Sequence, residues 1–251
     1  FVLVAHPRGV RNQHIQCTVV RDRNSVGGKL YPSYELILEN PRKTIIKACK
    51  MSYNRTSNYH LFDMTRGTAG SKLSKKAGNY LGKLRARNTN RLECSLLNHK
   101  ADKEELMGVS FEKMTLINQL TEGTQPRKMR ILILRPDVVT GTTEGVYPSN
   151  FGSPSLSDLL LDVVDRKKSL PENMMLLETK EPVLENGNYR LNFFGRVNLP
   201  SVKNFQIVHY SNIDEILCQF GKVEEDMFHL DFKTPFNALE AFALALCQFN
   251  L

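Results

Sequence analysis

Ala238-Leu239-Glu240-Ala241-Phe242-Ala243-Leu244-Ala245-Leu246-Cys247-Gln248-Phe249 decides the fold, because ten of its twelve residues are apolar and only Glu240 and Gln248 interrupt. A helix apolar nearly all round must be buried on every side or lie in a membrane. Twelve helical residues span about 18 Å, too short for a bilayer. The segment is therefore expected inside the protein, wrapped by the rest of the chain.

The wrapping material reads as β-strand. Short apolar-alternating runs recur at Ile15 to Val19, Tyr34 to Leu38, Thr44 to Ala48, Arg130 to Leu134, Tyr189 to Val197, Asn204 to His209, Ile216 to Phe220 and Met227 to Phe232. Period-two patterning gives strands with one buried face; in the last run Phe228, Leu230 and Phe232 share a side, with His229 and Asp231 opposite. Many short strands enclosing a buried helix are best satisfied by a closed sheet, since closure also removes sheet edges. The fold class expected is mainly β (α+β), a single domain over residues 1–251, and a monomer. One further helix, amphipathic and on the surface, is expected from Ser155 to Val164, where Leu156, Leu159, Leu160 and Val163 recur at helical spacing behind Pro154. The Gly, Ser and Pro-rich stretch from Gly141 to Pro154 is expected to be a long loop.

The first residue, Phe1, leads to the expectation of a fragment of a longer chain, and Arg8, Arg11 and His14 break up any signal-peptide run near it. Five scattered cysteines without a C-x-x-C pair or His at metal-ligand spacing fit a reducing compartment and small buried side chains, with no metal or cofactor expected.

Net charge is +8 and very unevenly distributed. Residues 41 to 91 carry thirteen Lys or Arg against Asp63 alone, whereas the remainder carries 21 basic and 25 acidic residues. Such a block presents a basic face, suited to phospholipid head groups or nucleic acid. Phosphate-loop, dinucleotide-binding, G-x-S-x-G and H-E-x-x-H motifs are missing from the sequence, and none of the six histidines sits in a catalytic motif. The chain is read as a non-enzyme.

Four blocks in order, Asn192-Phe193-Phe194-Gly195-Arg196-Val197, Ser201 to Ile207, Phe220-Gly221-Lys222-Val223 with Asp226, and Ala241 to Leu246, resemble the carboxy-terminal domain of the Tubby family. Tyr31-Pro32-Ser33-Tyr34, Thr56-Ser57-Asn58-Tyr59, Tyr80 to Arg85 and Pro126 to Met129 agree. The resemblance implies a closed antiparallel barrel of about twelve strands filled by a central hydrophobic C-terminal helix. It also implies a tether for phosphatidylinositol 4,5-bisphosphate in the inner leaflet, released when phospholipase C destroys that lipid. In some members it implies delivery of receptor cargo to cilia through an amino-terminal transport-complex motif that this chain does not contain. The implied places are the cytoplasmic face of the plasma membrane, the cytoplasm, and the cilium or nucleus.

The resemblance assigns phosphate contacts to Asn58, Lys83, Arg85 and, by aligning Glu105-Leu106-Met107-Gly108-Val109, Lys103. Lys103 replaces an Arg of the family, keeping the charge while losing the planar two-pronged donor. The chemistry stands on its own for the central pair: Lys83 and Arg85, two apart on an expected strand, leave the same face about 7 Å apart. Adjacent ring phosphates need two converging cations with a neutral group such as Asn58 fixing orientation. The dense basic run before the family's T-S-N-Y block shrinks here to Lys50 and Arg55, and Lys72, Lys75 and Lys76 in the following loop are its candidate substitutes. The alternative function, a DNA-binding transcription regulator, is permitted by the basic block, yet no zinc finger, RNP signature or evident recognition helix accompanies it.

Overall fold

The computed structural model describes residues 13–24, 29–52, 56–66, 73–87, 92–99, 104–112, 127–134, 155–165, 168–185 and 188–250. Lys103, Lys72, Arg55 and the Gly141–Pro154 stretch lie outside the described residues. In chain order the elements are β1 (Ile15–Asp22), β2 (Ser33–Leu38), β3 (Lys43–Lys50), β4 (Asn58–Asp63), β5 (Tyr80–Ala86), β6 (Glu93–Asn98), β7 (Glu105–Phe111) and β8 (Met129–Leu134). Then come α1 (Leu156–Asp165), β9 (Met174–Thr179), β10 (Val183–Glu185), β11 (Asn188–Arg190), β12 (Phe205–His209), β13 (Cys218–Glu224), β14 (Met227–Phe232) and α2 (Ala238–Cys247).

Twelve strands close into an antiparallel barrel in the order β1-β14-β13-β12-β9-β8-β7-β6-β5-β4-β3-β2, while β10 and β11 form a separate hairpin. Inward residues of all twelve and the helix α2 make one core; Leu239, Phe242, Leu244 and Leu246 are fully buried. The helix starts on a reciprocal cap: the Asn237 side chain accepts from the Glu240 amide at 2.9 Å, and the Glu240 carboxylate accepts from the Asn237 amide at 3.1 Å. The expected barrel and its central helix are thus present.

Pairing registers place Arg21, Lys50, Asn58, Ala86, Met129 and Phe205 round one mouth of the barrel. The end of α2 reaches the same mouth: the Gln248 amide donates to Met129 Sδ at 3.0 Å, and Phe249 packs 4.8 Å from Tyr34 between ring centroids.

Two outer faces of the barrel are covered. α1 lies over β6, β7 and β8, burying Leu156 and Leu160 against Leu132 and Met174, with Ser157 Oγ 2.8 Å from Ser95 Oγ. That cover explains why Ile131 to Leu134 and Met174 to Leu177 are apolar on both faces. The second cover corrects the expected Tyr189 to Val197 strand, of which only the part up to Arg190 pairs. From Asn192 the chain turns instead: Asn192 Oδ1 accepts from the Phe194 amide at 2.8 Å, and Phe194 and Gly195 both take positive φ. Phe194, in phase with Arg190, Asn192 and Arg196 on the polar side of the alternation, is 72% exposed. What holds the segment is polar: Arg196 donates to Asp231 and Glu39, two acids on neighbouring outward positions of the barrel.

Candidate functional site

The outward face of β4 and β5 remains open, and the sequence-predicted residues meet there. Asn58 pairs with Arg85 and His60 with Lys83 in the antiparallel register. Leu84 is fully buried between Lys83 and Arg85, so both cations leave the barrel on the outer side. That phase is not automatic. Leu81 and Leu84 both point inward, three residues apart, so strict alternation from Leu81 would turn Lys83 into the core. Gly82 absorbs the extra residue at φ +151, where a β-carbon would stand 2.1 Å from the Leu97 carbonyl oxygen. The register of β4 against β5 shifts beside it, between Leu61 and Phe62. The glycine of the G-K-L-R block is what turns the cations outward.

The electrostatics of this face favour an anion. Burial first, then the charges of Lys75 and Lys83, push the His60 imidazole down to about 4. A proton is thus repelled from a site two strand positions from Asn58. Lys75 Nζ lies 5.4 Å from the Tyr80 ring centroid, and Tyr80 stands edge-on to His60 at 5.4 Å. Asn58 Oδ1 is buried without a hydrogen-bond partner, a cost of about 1 to 3 kcal/mol that a ligand hydroxyl donating to it relieves. Arg85 is exposed and carries no ion pair among the described residues.

The structure brings together Asn58, Lys83 and Arg85. The strand that follows Lys103 enters in line with them, since Lys83 pairs with Leu97 and Leu97 with Glu105. Sequence reasoning missed His60 and Tyr80 and treated Lys75 as loop charge. The signal was present, because His60 lies two residues from Asn58 and therefore on its face of β4.

Comparison with protein families finds a match to the Tub family over residues 5–251. The chain belongs to that family. It is 34% identical to human Tubby-related protein 1 over 100% of this chain and 45% of that protein. It is 33% identical to mouse Tubby-related protein 3, over 100% of this chain and 54% of the relative. Protein king tubby 1 of Aedes aegypti is 31% identical, over 97% of this chain and 57% of the relative. The chain thus spans about half the length of the curated relatives it matches.

Among the described residues, neither helix carries a Lys or Arg, so the DNA-binding alternative finds no basic recognition helix there. The surface helix α1 instead carries Asp158, Asp162 and Asp165, the first two paired with Arg87 and Lys168. Among the described residues, no helix is long and apolar enough to cross a membrane and no group of acids, His and Cys is arranged to hold a metal ion.

Proposed function

We propose that this domain is a non-enzymatic membrane tether that reads the phosphatidylinositol 4,5-bisphosphate head group through Asn58, Lys83 and Arg85, with Lys103 as a fourth contact. Lys83 and Arg85 supply charge-assisted hydrogen bonds to adjacent ring phosphates, and Asn58 fixes the ring through a hydroxyl. The observation that carries the reading is the pairing of an exposed Arg85 with a buried, unpartnered Asn58 oxygen on a face that already repels protons. In the whole protein such a tether links receptor cargo to ciliary or vesicular transport and lets go when phospholipase C removes the lipid. It works at the cytoplasmic face of the plasma membrane.

Vesicle partitioning tests it. Liposomes with phosphatidylinositol 4,5-bisphosphate should recruit the domain more strongly than liposomes of equal surface charge made with phosphatidylserine. Equal recruitment would reduce the site to generic electrostatics and remove the head-group claim.

A further inference from the structure

A second set of cations stands at the mouth where α2 ends, on strands remote from β4 and β5. Arg21 is the penultimate residue of β1, Arg127 precedes β8 and Lys203 precedes β12. Arg21 and Lys203 both stand over the ring of Phe249, at 5.3 and 5.7 Å from its centroid. Arg21 is paired with Asp226. Lys203 and Arg127 have no carboxylate partner among the described residues, although both are partly buried. Burial, then the charges of Arg21 and Arg127, push the Lys203 ammonium down, and burial does the same to Arg127.

Cations that are desolvated, unpaired and turned on one another raise the energy of the free protein, and an arriving anion relieves it. The exposed cations of the opposite mouth, such as Arg42 and Lys43, are solvated and need no partner. The loops that flank the cluster carry exposed apolar side chains: Leu30 and Tyr31 between β1 and β2, and Leu199 and Val202 before β12. Apolar tips beside basic groups match a bilayer interface, where the first enter the acyl boundary and the second meet head-group phosphates. Arg85 and Asn58 belong to the same mouth, so one surface can hold both sets against one membrane.

We propose that Arg127 and Lys203, with Arg21 behind them, form a second contact for anionic lipid head groups, and that the domain docks end-on with the α2 mouth turned to the bilayer. This rests on the reading of the domain as a membrane tether but on different residues. The two contacts divide the work: the β4–β5 face selects the head group, while the mouth cluster adds affinity that exists only at a lipid surface.

Three measurements on the domain test it. In sedimentation with liposomes containing phosphatidylinositol 4,5-bisphosphate, R127A/K203A should bind about thirty-fold more weakly, while R42A/K43A changes binding less than about two-fold. A seven-residue strand is about 23 Å long, so the control charges lie more than two Debye lengths away. Calorimetry with soluble inositol trisphosphate should show R127A/K203A unchanged and K83A/R85A without binding. Loss of head-group binding in R127A/K203A, with an unchanged melting temperature, would merge the two contacts and overturn the division. The chain has no Trp, so Val202→Trp and Tyr210→Trp give clean single probes at the two mouths. Bromolipid vesicles should quench the first and spare the second; the reverse, or no quenching of either, overturns end-on docking even if R127A/K203A folds poorly. If K83A/R85A binds vesicles normally while R127A/K203A does not, the head-group reading fails and the mouth contact stands.

Discussion

Replacing Lys83 and Arg85 with Ala should abolish specific head-group binding with little effect on the fold, and the size of the loss separates a gripping site from surface charge. Each charge-assisted hydrogen bond contributes about 1.5 to 3 kcal/mol, so two give about 3 to 6 kcal/mol, a loss of roughly 10² to 10⁴-fold in affinity. The comparison pair must remove the same charge at a distance. Lys75 and Lys76 look suitable in the sequence, but Lys75 stands over Tyr80 and depresses His60, so it belongs to the site's field. Arg42 and Lys43, exposed at the opposite mouth, are the proper controls. At about 20 Å in water a charge pair is worth only about 0.2 kcal/mol before screening. Calorimetric titration with soluble inositol trisphosphate therefore predicts near-complete loss for K83A/R85A and an unchanged constant for R42A/K43A. Melting temperatures should barely move, because substitutions on the outer face typically change stability by about 0.5 kcal/mol or less. Equal losses in the two double variants, or wild-type affinity in K83A/R85A, would move the site off β5.

Gly82→Ala forces a side chain into a positive-φ position 2.1 Å from the Leu97 carbonyl; it should cost at least about 2 kcal/mol and weaken head-group binding although Lys83 and Arg85 remain, and a melting temperature equal to wild type would refute the phase argument. Glu240 is pushed up by burial to about 7 from an ordinary 4.5, so the folded state holds its proton while the unfolded state releases it, and this group's effect on stability is to lower it as pH rises from 4.5 through 7. Glu240→Gln keeps an acceptor for the Asn237 amide and should remove that slope, gaining up to about 2 kcal/mol above pH 7 once residual exposure is allowed for; parallel pH profiles of urea unfolding for the two proteins would contradict it. Deleting the chain after Pro235 removes Leu239, Phe242, Leu244 and Leu246, worth together about 6 to 12 kcal/mol, comparable to a domain's whole stability; a truncation that stays soluble and melts cooperatively would overturn the central-helix account.

The barrel was legible because α2 is apolar all round and strands with one solvated face alternate visibly, as Phe228, Leu230 and Phe232 do. β8 and β9 hid part of the pattern because α1 covers their outer faces, so Leu132 and Met174 are buried on the side that alternation reserves for polar residues. The Tyr189 to Val197 run misled for the opposite reason: its alternation is real, but Arg196 finds Asp231 and Glu39, residues 35 and 157 positions away, and that long-range pairing bends the chain into a turn. That Lys83 and Arg85 share a face was readable from spacing, whereas the contact of Lys75 with the Tyr80 ring and of Tyr80 with His60 was not. Gly82 was readable as a residue but not as a cause, since the need for an irregular φ appears only when Leu81 and Leu84 are both seen to point inward.

The place of the proposed site follows from what the barrel leaves uncovered. Its interior is filled by α2, which leaves no room for a ligand of the kind that open barrels enclose. Outside, α1 occupies β6 to β8, and the segment around Arg196 seals β12 to β14 by polar contacts: Gln206 donates to the Asn192 carbonyl at 2.8 Å, and the Lys222 amide donates to Asn204 at 2.9 Å. On β2 and β3 the outward charges neutralise each other, with Lys47 bonded to Glu35 at 2.8 Å and Thr44 donating to the same carboxylate. On β5 the exposed Arg85 carries no ion pair among the described residues, in a stretch of 51 residues whose one acid, Asp63, is buried and bonded to the Thr65 amide and hydroxyl. An anion approaching the side of this barrel therefore meets β4 and β5, the strand pair that carries Asn58, Lys83 and Arg85, within the stretch that holds the chain's positive excess.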